Sequence, residues 1–230
     1  MSIVVVSASL SPSSSTHRLG SDLAAAVVEA GVETEVKEIS LRSLAHALVD
    51  NLLTGFPSPQ LQEAVDAVVA ADGLVAVTPV YNAGYSGLFK LFLDVLEKDS
   101  LRGKPVLLGA TGGSPRHSLI TEYGLRPLFT YMHASVAATA VYASTEDFGA
   151  HAADSDGSAG TTLRRRISRA GRDLAALIRA QNPGALQNAA PTSPSQSDSF
   201  EGAATNANAR AQELFPDFKP MGELFKQERD

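Results

Sequence analysis

Apolar residues fall along this chain in two alternating patterns: short continuous runs, and longer stretches in which they recur three and four positions apart. Ile3 to Ser7 is a β-branched run that reads as a buried strand, and the Ser/Pro/Thr cluster from Ser9 to Thr16 reads as a loop. Leu19, Leu23, Ala26, Val27 and Ala30 then mark one face of a helix that stops at Gly31. Glu33 to Ile39 alternates polar and apolar, as an edge strand does. A short helix is predicted around Leu44 to Val49, and a longer one over Pro59 to Ala71, where Leu61, Ala64, Val65, Val68 and Val69 form a stripe. Strand Gly73 to Val77, helix Ser86 to Glu97 and the wholly apolar strand Pro105 to Ala110 follow. Helix Leu119 to Met132 and strand Ser135 to Tyr142 complete the alternation. A last helix, Thr161 to Gln181, carries Leu163, Ile167, Ala170, Leu174, Leu177 and Ile178 on one face, with Arg164, Arg165, Arg166, Arg169 and Arg172 around the rest.

Strands alternating with helices predict an α/β fold, a doubly wound parallel sheet with helices on both faces. Five strands fit the flavodoxin-like order 2-1-3-4-5. No internal repeat is present. Residues 1–181 form the expected domain. From Asn182 the composition turns to Ala, Ser, Pro, Asn and Gln, so 182–213 reads as a flexible linker. The segment 214–230 regains Leu214, Phe215, Phe218, Met221, Leu224 and Phe225 and reads as a tail able to dock.

Composition narrows the function classes. The 230 residues are 44% hydrophobic and 19% charged, ordinary for a fold with a real core, and the net charge of −6 argues against nucleic acid or an anionic membrane as partner. Cysteine is absent, so disulfides and thiolate-ligated metals are excluded. No segment reaches the roughly 18 to 20 apolar residues that span a bilayer. The amino terminus shows no basic leader, so a cytoplasmic location is expected.

Three strand-to-helix connections hold the candidate chemistry. After the first strand, the hydroxyls of Ser9, Ser14, Ser15 and Thr16 precede a helix whose free amides and dipole suit an anion, such as the terminal phosphate of a mononucleotide. The plain alternative is a Ser/Thr cap on a hydrophilic loop. Neither GxxxxGK[ST] nor GxGxxG occurs. After the third strand, Thr78-Pro79-Val80-Tyr81-Asn82-Ala83-Gly84-Tyr85-Ser86-Gly87 combines backbone amides with flat side chains, as one half of a site for a planar ring; its alternative is that Tyr81 and Tyr85 merely cover the sheet edge. After the fourth strand, Thr111-Gly112-Gly113 lets the backbone approach a ligand closely, although a Gly-Gly pair alone is more often a turn. In the 2-1-3-4-5 order the three ends are contiguous and make one crevice.

With Thr78 to Lys90 and Ala110 to Ser114 as its specific parts, the chain from Met1 to Ile178 resembles the NADPH-dependent FMN reductases, in particular the reductase components of two-component flavin monooxygenase systems of the alkanesulfonate type. The resemblance implies that Ser9, Ser14, Ser15 and Thr16 hold the FMN phosphate. It implies further that Pro79, Val80, Tyr81 and Asn82 line the isoalloxazine, and that Thr111, Gly112 and Gly113 contact its polar edge. Ala8 departs from the pattern, because relatives often have Gly before the phosphate-loop Ser. FMN with NADPH or NADH is the expected cofactor set, and a flavin-dependent monooxygenase the expected recipient. Two other functions share the fold: an NAD(P)H quinone or azo/nitro reductase with retained FMN, and a flavodoxin-type electron carrier.

Arg116 and His117 are candidates for the extra phosphate of NADPH, against a role facing solvent or another subunit. No catalytic acid or base is nominated. His46 and His133 lack a ligand pattern, so no metal site is expected. Lys90 and Asp94 form an i,i+4 pair. The arginine-rich helix reads as a solvated face rather than a nucleic-acid surface. Phe89, Phe92 and Leu93 extend beyond one stripe of their helix, which predicts packing against another subunit in a homodimer or homotetramer.

Overall fold

The computed structural model describes residues 1–11, 14–148 and 158–182. Beyond Asn182, the expected linker and tail lie outside the described residues. A sheet runs in the order β2 (Glu35–Ser40), β1 (Ser2–Ser7), β3 (Gly73–Tyr81), β5 (Pro105–Gly112), and then two short strands, β6 (Ser135–Val136) and β7 (Val141–Ser144), on the same edge. These ladders are all parallel, and only the two-residue β4 (Gly84–Tyr85) turns back antiparallel on β3. With β4 set aside, this is the expected 2-1-3-4-5 order, its last position shared by β6 and β7.

Period-two alternation sends successive residues of each strand to opposite faces, so the sheet separates two cores. Val4, Val6, Leu74, Ala76, Val106 and Leu108 face one core, which is closed by α2 (Ala45–Thr54), α3 (Pro59–Ala70), α4 (Gly87–Val95) and α5 (Arg126–Tyr131). Ile3, Val5, Val75, Val77 and Leu107 face the other, closed by α1 (Ser15–Glu29) and α7 (Ser158–Gln181). Each large side chain buried this way contributes about 1.5–3 kcal/mol. Helix starts follow local chemistry: Ser14, Ser58 and Ser86 cap α1, α3 and α4 by accepting the amides of His17, Leu61 and Phe89. No described helix is long and apolar enough to cross a membrane.

Several elements differ from their expected form. The helix predicted over Leu44 to Val49 is a 3-10 turn, Leu41–Leu44, followed by α2, which runs to Thr54 and stops at Gly55 with φ of 76°. The helix predicted over Leu119 to Met132 opens into a π-turn, Thr121–Leu125, before α5. Pro127 explains this, since it has no N–H to give to the carbonyl one turn back and its ring crowds that carbonyl. The single strand predicted over Ser135 to Tyr142 is broken at residues 137–140. Arg126 donates to the carbonyls of Ala137 and Ala138, at 3.1 Å each, and Asp173 accepts the Thr139 amide. Arg126 also pairs with Glu122 at 2.6 Å, which holds the Glu122 carboxyl below the usual range, with burial opposing.

The expectation that Phe89, Phe92 and Leu93 are free to pack on another subunit is overturned. All three are buried within this chain, Phe89 and Phe92 completely, because α2 and the 3-10 turn before it pack on the helix and the Tyr85 and Phe129 rings lie against Phe89. Lys90 and Asp94 do form the expected pair.

The amino-terminal edge of the sheet is tied by polar contacts. Lys104 donates to the carbonyls of Val69 in α3 and Ala71 just after it, Asp72 accepts the Ser2 amide, and Asp99 pairs with both Arg102 and His133. Arg179 and Gln181 fasten the end of α7 to Ala30 and Gly103.

Candidate active site

The carboxyl ends of β1, β3 and β5 lie side by side, with Ser7, Val77 and Gly109 in register. From these ends the three connections leave in the same direction. The Ala8 amide still donates to Val77 at 3.0 Å, so the first connection departs only at Ser9.

In that first connection, Ser9 is buried and donates to the Ser11 carbonyl at 3.1 Å. Ser14 caps α1 through its hydroxyl oxygen, which accepts the His17 amide at 3.2 Å and keeps its own proton to donate. Ser15 is exposed at the first position of α1, and Thr16 at the second is buried. Capping uses the His17 amide and leaves those of Ser15 and Thr16 without an intrahelical acceptor. Among the described residues, Ser7 Oγ is buried without a hydrogen-bond partner. Hydroxyls and free amides at the positive end of a helix form a donor set suited to a phosphate.

The second connection is partly strand. Pro79, Val80 and Tyr81 belong to β3, and Asn82 and Ala83 form a two-residue turn into β4 with φ of 49° and 63°. Two positive φ values make this the turn type whose twist matches a hairpin, which explains why the run continues as paired strand rather than loop. Pro79 is buried, Val80 half-buried, and Tyr81 and Asn82 exposed. The buried Thr78 hydroxyl accepts the Ser86 amide at 3.0 Å and closes the hairpin onto the start of α4. Ala83 holds a left-handed conformation that costs an L-residue about 1 kcal/mol or more. Ala83→Gly is therefore expected to raise stability by up to about 1 kcal/mol in chemical denaturation.

The third connection is also shorter than expected, since β5 runs through Thr111 and Gly112 and only Gly113 lies beyond it. Thr111 is buried, and its hydroxyl oxygen is 2.6 Å from that of Thr16. Gly113 is exposed, with open space where a side chain would stand. Arg116 and His117 are exposed on a 3-10 turn, Pro115–His117, capped by the Ser114 hydroxyl. The structure thus joins the first and third connections directly and leaves Arg116 and His117 at the rim.

Tyr142 escaped the sequence reading, where it is only the end of a strand. Its hydroxyl donates to the Ser114 carbonyl at 2.6 Å, and a Cβ on Gly112 would land on that hydroxyl. Burial, helped by the Asp147 carboxylate, raises the Tyr142 phenol above its ordinary range. Arg166, read as one of a solvated row, instead pairs with Asp147 at 2.7 Å and donates to the Tyr142 carbonyl. The partners are 19 and 24 residues away in sequence, so no local pattern announces them. Arg18 pairs with Asp22 at 3.8 Å and lies over the Phe148 ring of α6 (Thr145–Phe148). Among the described residues, no group of three or more His, Asp or Glu side chains is placed to hold a metal ion.

Comparison with known proteins identifies the family. The chain is 40% identical over 149 residues to the NADH-dependent FMN reductase SfnF of Pseudomonas putida, an alignment covering 65% of this chain and 80% of that protein. It is 39% identical over 113 residues to the FMN reductase (NADPH) of Escherichia coli strain K12, covering 49% of this chain and 58% of that one. Among solved structures, an oxidoreductase from Corynebacterium diphtheriae superposes with a TM-score of 0.71 at 42% identity, covering 78% of this chain and 97% of the other. The apo form of the NADH:FMN oxidoreductase EmoB superposes with a TM-score of 0.64 at 35% identity, covering 74% and 88%. Residues 1–149 match the family described as NADPH-dependent FMN reductase, and the chain belongs to that family of oxidoreductases, which act with FMN and a nicotinamide nucleotide.

Proposed function

We propose that this protein is an NAD(P)H-dependent FMN reductase that releases reduced FMN to a flavin-dependent monooxygenase in the cytoplasm. What supports the reading is the convergence of a phosphate-suited helix head, a flat-sided hairpin and an open Gly113 on three adjacent strand ends. Ser9, Ser14, Ser15 and Thr16, with the first amides of α1, would hold the phosphate; Pro79 to Asn82 would line the ring; and Gly112 and Gly113 would offer amides to its polar edge. When bound, the flavin supplies the redox chemistry, accepting hydride at N5 from nicotinamide C4. The chain's own task is positioning, and amides aimed at a developing negative charge need no proton transfer from a side chain. Arg116 and His117, exposed at the rim, would meet the nucleotide. The SfnF name belongs to a relative and gives no substrate for the monooxygenase here.

Self-association is proposed on a different surface from the one first expected. Val49, Leu52, Leu53 and Phe56 are exposed at helical spacing along α2 and just beyond it, with Phe56 80% exposed. Light scattering at micromolar concentration would remove this part by showing a monomer.

The function is tested by following nicotinamide absorbance with NADPH and NADH, with and without added FMN. The expected result is oxidation that requires FMN and saturates with it. Activity retained after gel filtration without added FMN would favour a quinone or azo/nitro reductase, and no oxidation with either nucleotide would leave a carrier.

A further inference from the structure

We infer that Thr111 is a positioning residue for the phosphate end of the site: it holds the Thr16 hydroxyl so that the Thr16 proton is delivered to an anion at the head of α1, and it does not contact the flavin ring. This rests on reading the crevice as an FMN site and assigns Thr111 to the opposite end of the ligand from the one the resemblance implies.

The two hydroxyl oxygens are 2.6 Å apart, in residues 95 positions apart that are only 2% and 4% exposed. Each hydroxyl carries one proton, so in this pair one donates and the other keeps its proton for a further partner. With an anion at the first turn of α1, the favoured arrangement has Thr111 donating to Thr16 and Thr16 donating to the anion. A bond to a charged acceptor is about twice as strong as a neutral one, and accepting the Thr111 proton polarises the Thr16 hydroxyl further.

Side-chain direction agrees. Residues two apart on a strand share a face, and a Cβ on Gly109 would meet Leu23 of α1 at 3.1 Å, so Thr111 also faces α1. Its β-branched side chain is stiff, which suits a residue that fixes another's hydroxyl. Thr16 stands beside amides that lack intrahelical acceptors, and its own hydroxyl completes that donor set.

The test titrates the full chain with FMN and with riboflavin, which has the same ring and no phosphate, following flavin fluorescence for wild type, Thr111→Val, Thr111→Ser and Thr16→Val, with a thermal midpoint for each. Wild type is expected to prefer FMN. Thr111→Val is expected to weaken FMN by about 5- to 30-fold while leaving riboflavin within about twofold, Thr111→Ser to recover FMN binding, and Thr16→Val to match Thr111→Val with no further loss in the double variant. If Thr111→Val does not fold, Thr111→Ala removes the same hydroxyl without bulk and carries the same FMN-to-riboflavin ratio. Equal weakening of both ligands would place Thr111 on the ring and overturn the inference, as would unchanged FMN affinity. A wild type that binds both ligands without preference would refute the phosphate role alone, whereas one that binds neither would remove the FMN reading itself.

Discussion

Gly171→Ala is expected to lower the thermal midpoint by roughly 4–12 °C, the equivalent of about 2–3 kcal/mol in a domain of this size. Gly171 sits in α7 where that helix crosses α1, and a Cβ there would lie 2.6 Å from the Ala26 backbone carbon and 2.7 Å from its carbonyl oxygen. Backbone cannot rotate aside as a side chain does, so the two helices must separate. Separation loosens the core that α1 and α7 close over β1, β3 and β5, where Leu19, Leu23, Leu174 and Ile178 are fully buried. Alanine's better helix propensity returns about 1 kcal/mol and is included in the figure. Gly87→Ala supplies the comparison, because nothing stands within 4 Å of a Cβ at the first position of α4. Calorimetry on both variants decides it: equal midpoints would mean that the α1–α7 crossing gives way more easily than its backbone contact implies.

Gly112→Ala is expected to weaken flavin binding at least tenfold and to cost about 1–3 kcal/mol of stability, with much of both losses recovered in the double variant with Tyr142→Phe. The new methyl would collide with the Tyr142 hydroxyl, whose ring is packed in the core and only 7% exposed. Either the ring shifts and releases the Ser114 carbonyl, or the end of β5 shifts and carries Gly113 with it. Both outcomes move the Gly112 and Gly113 amides proposed to meet the flavin. Removing the hydroxyl leaves the ring carbon that bore it 3.3 Å from the methyl, a tight contact that small adjustments relieve. Tyr142→Phe alone gives up one hydrogen bond and is expected to cost about 1 kcal/mol. A four-corner cycle by denaturant unfolding and flavin titration reads the coupling, and simple additivity would show that Gly112 and Tyr142 act separately.

The sheet was legible because its strands are unmistakable as runs: Ile3 to Ser7 and Pro105 to Ala110 have no polar interruption and no competing helical period. The crevice followed from their order, since contiguous strand ends bring their connections together whatever those connections contain. What sequence could not supply was any contact between distant residues. Thr16 and Thr111 were each visible as loop hydroxyls, yet nothing local says that they face one another. Tyr142 looked like the end of a strand, and Arg166 like one of five interchangeable arginines. The broken strand at residues 137–140 failed for a similar reason, because its lost ladder bonds are replaced by Arg126 and Asp173 from other elements. Phe89, Phe92 and Leu93 were misjudged because a helix stripe records how much apolar surface must be covered and not by which neighbour.

The polar amino-terminal edge, facing away from the three connections, has a practical use. Lys98 is exposed on the connection that leads into β5 at that edge, and the chain contains no cysteine. A Lys98→Cys substitution would therefore be the sole thiol, and coupling it to an electrode would anchor every molecule by the same point. Each crevice would then open toward the solution, free to exchange flavin and nucleotide, and the measured current would come from one orientation of the protein rather than from an average over many.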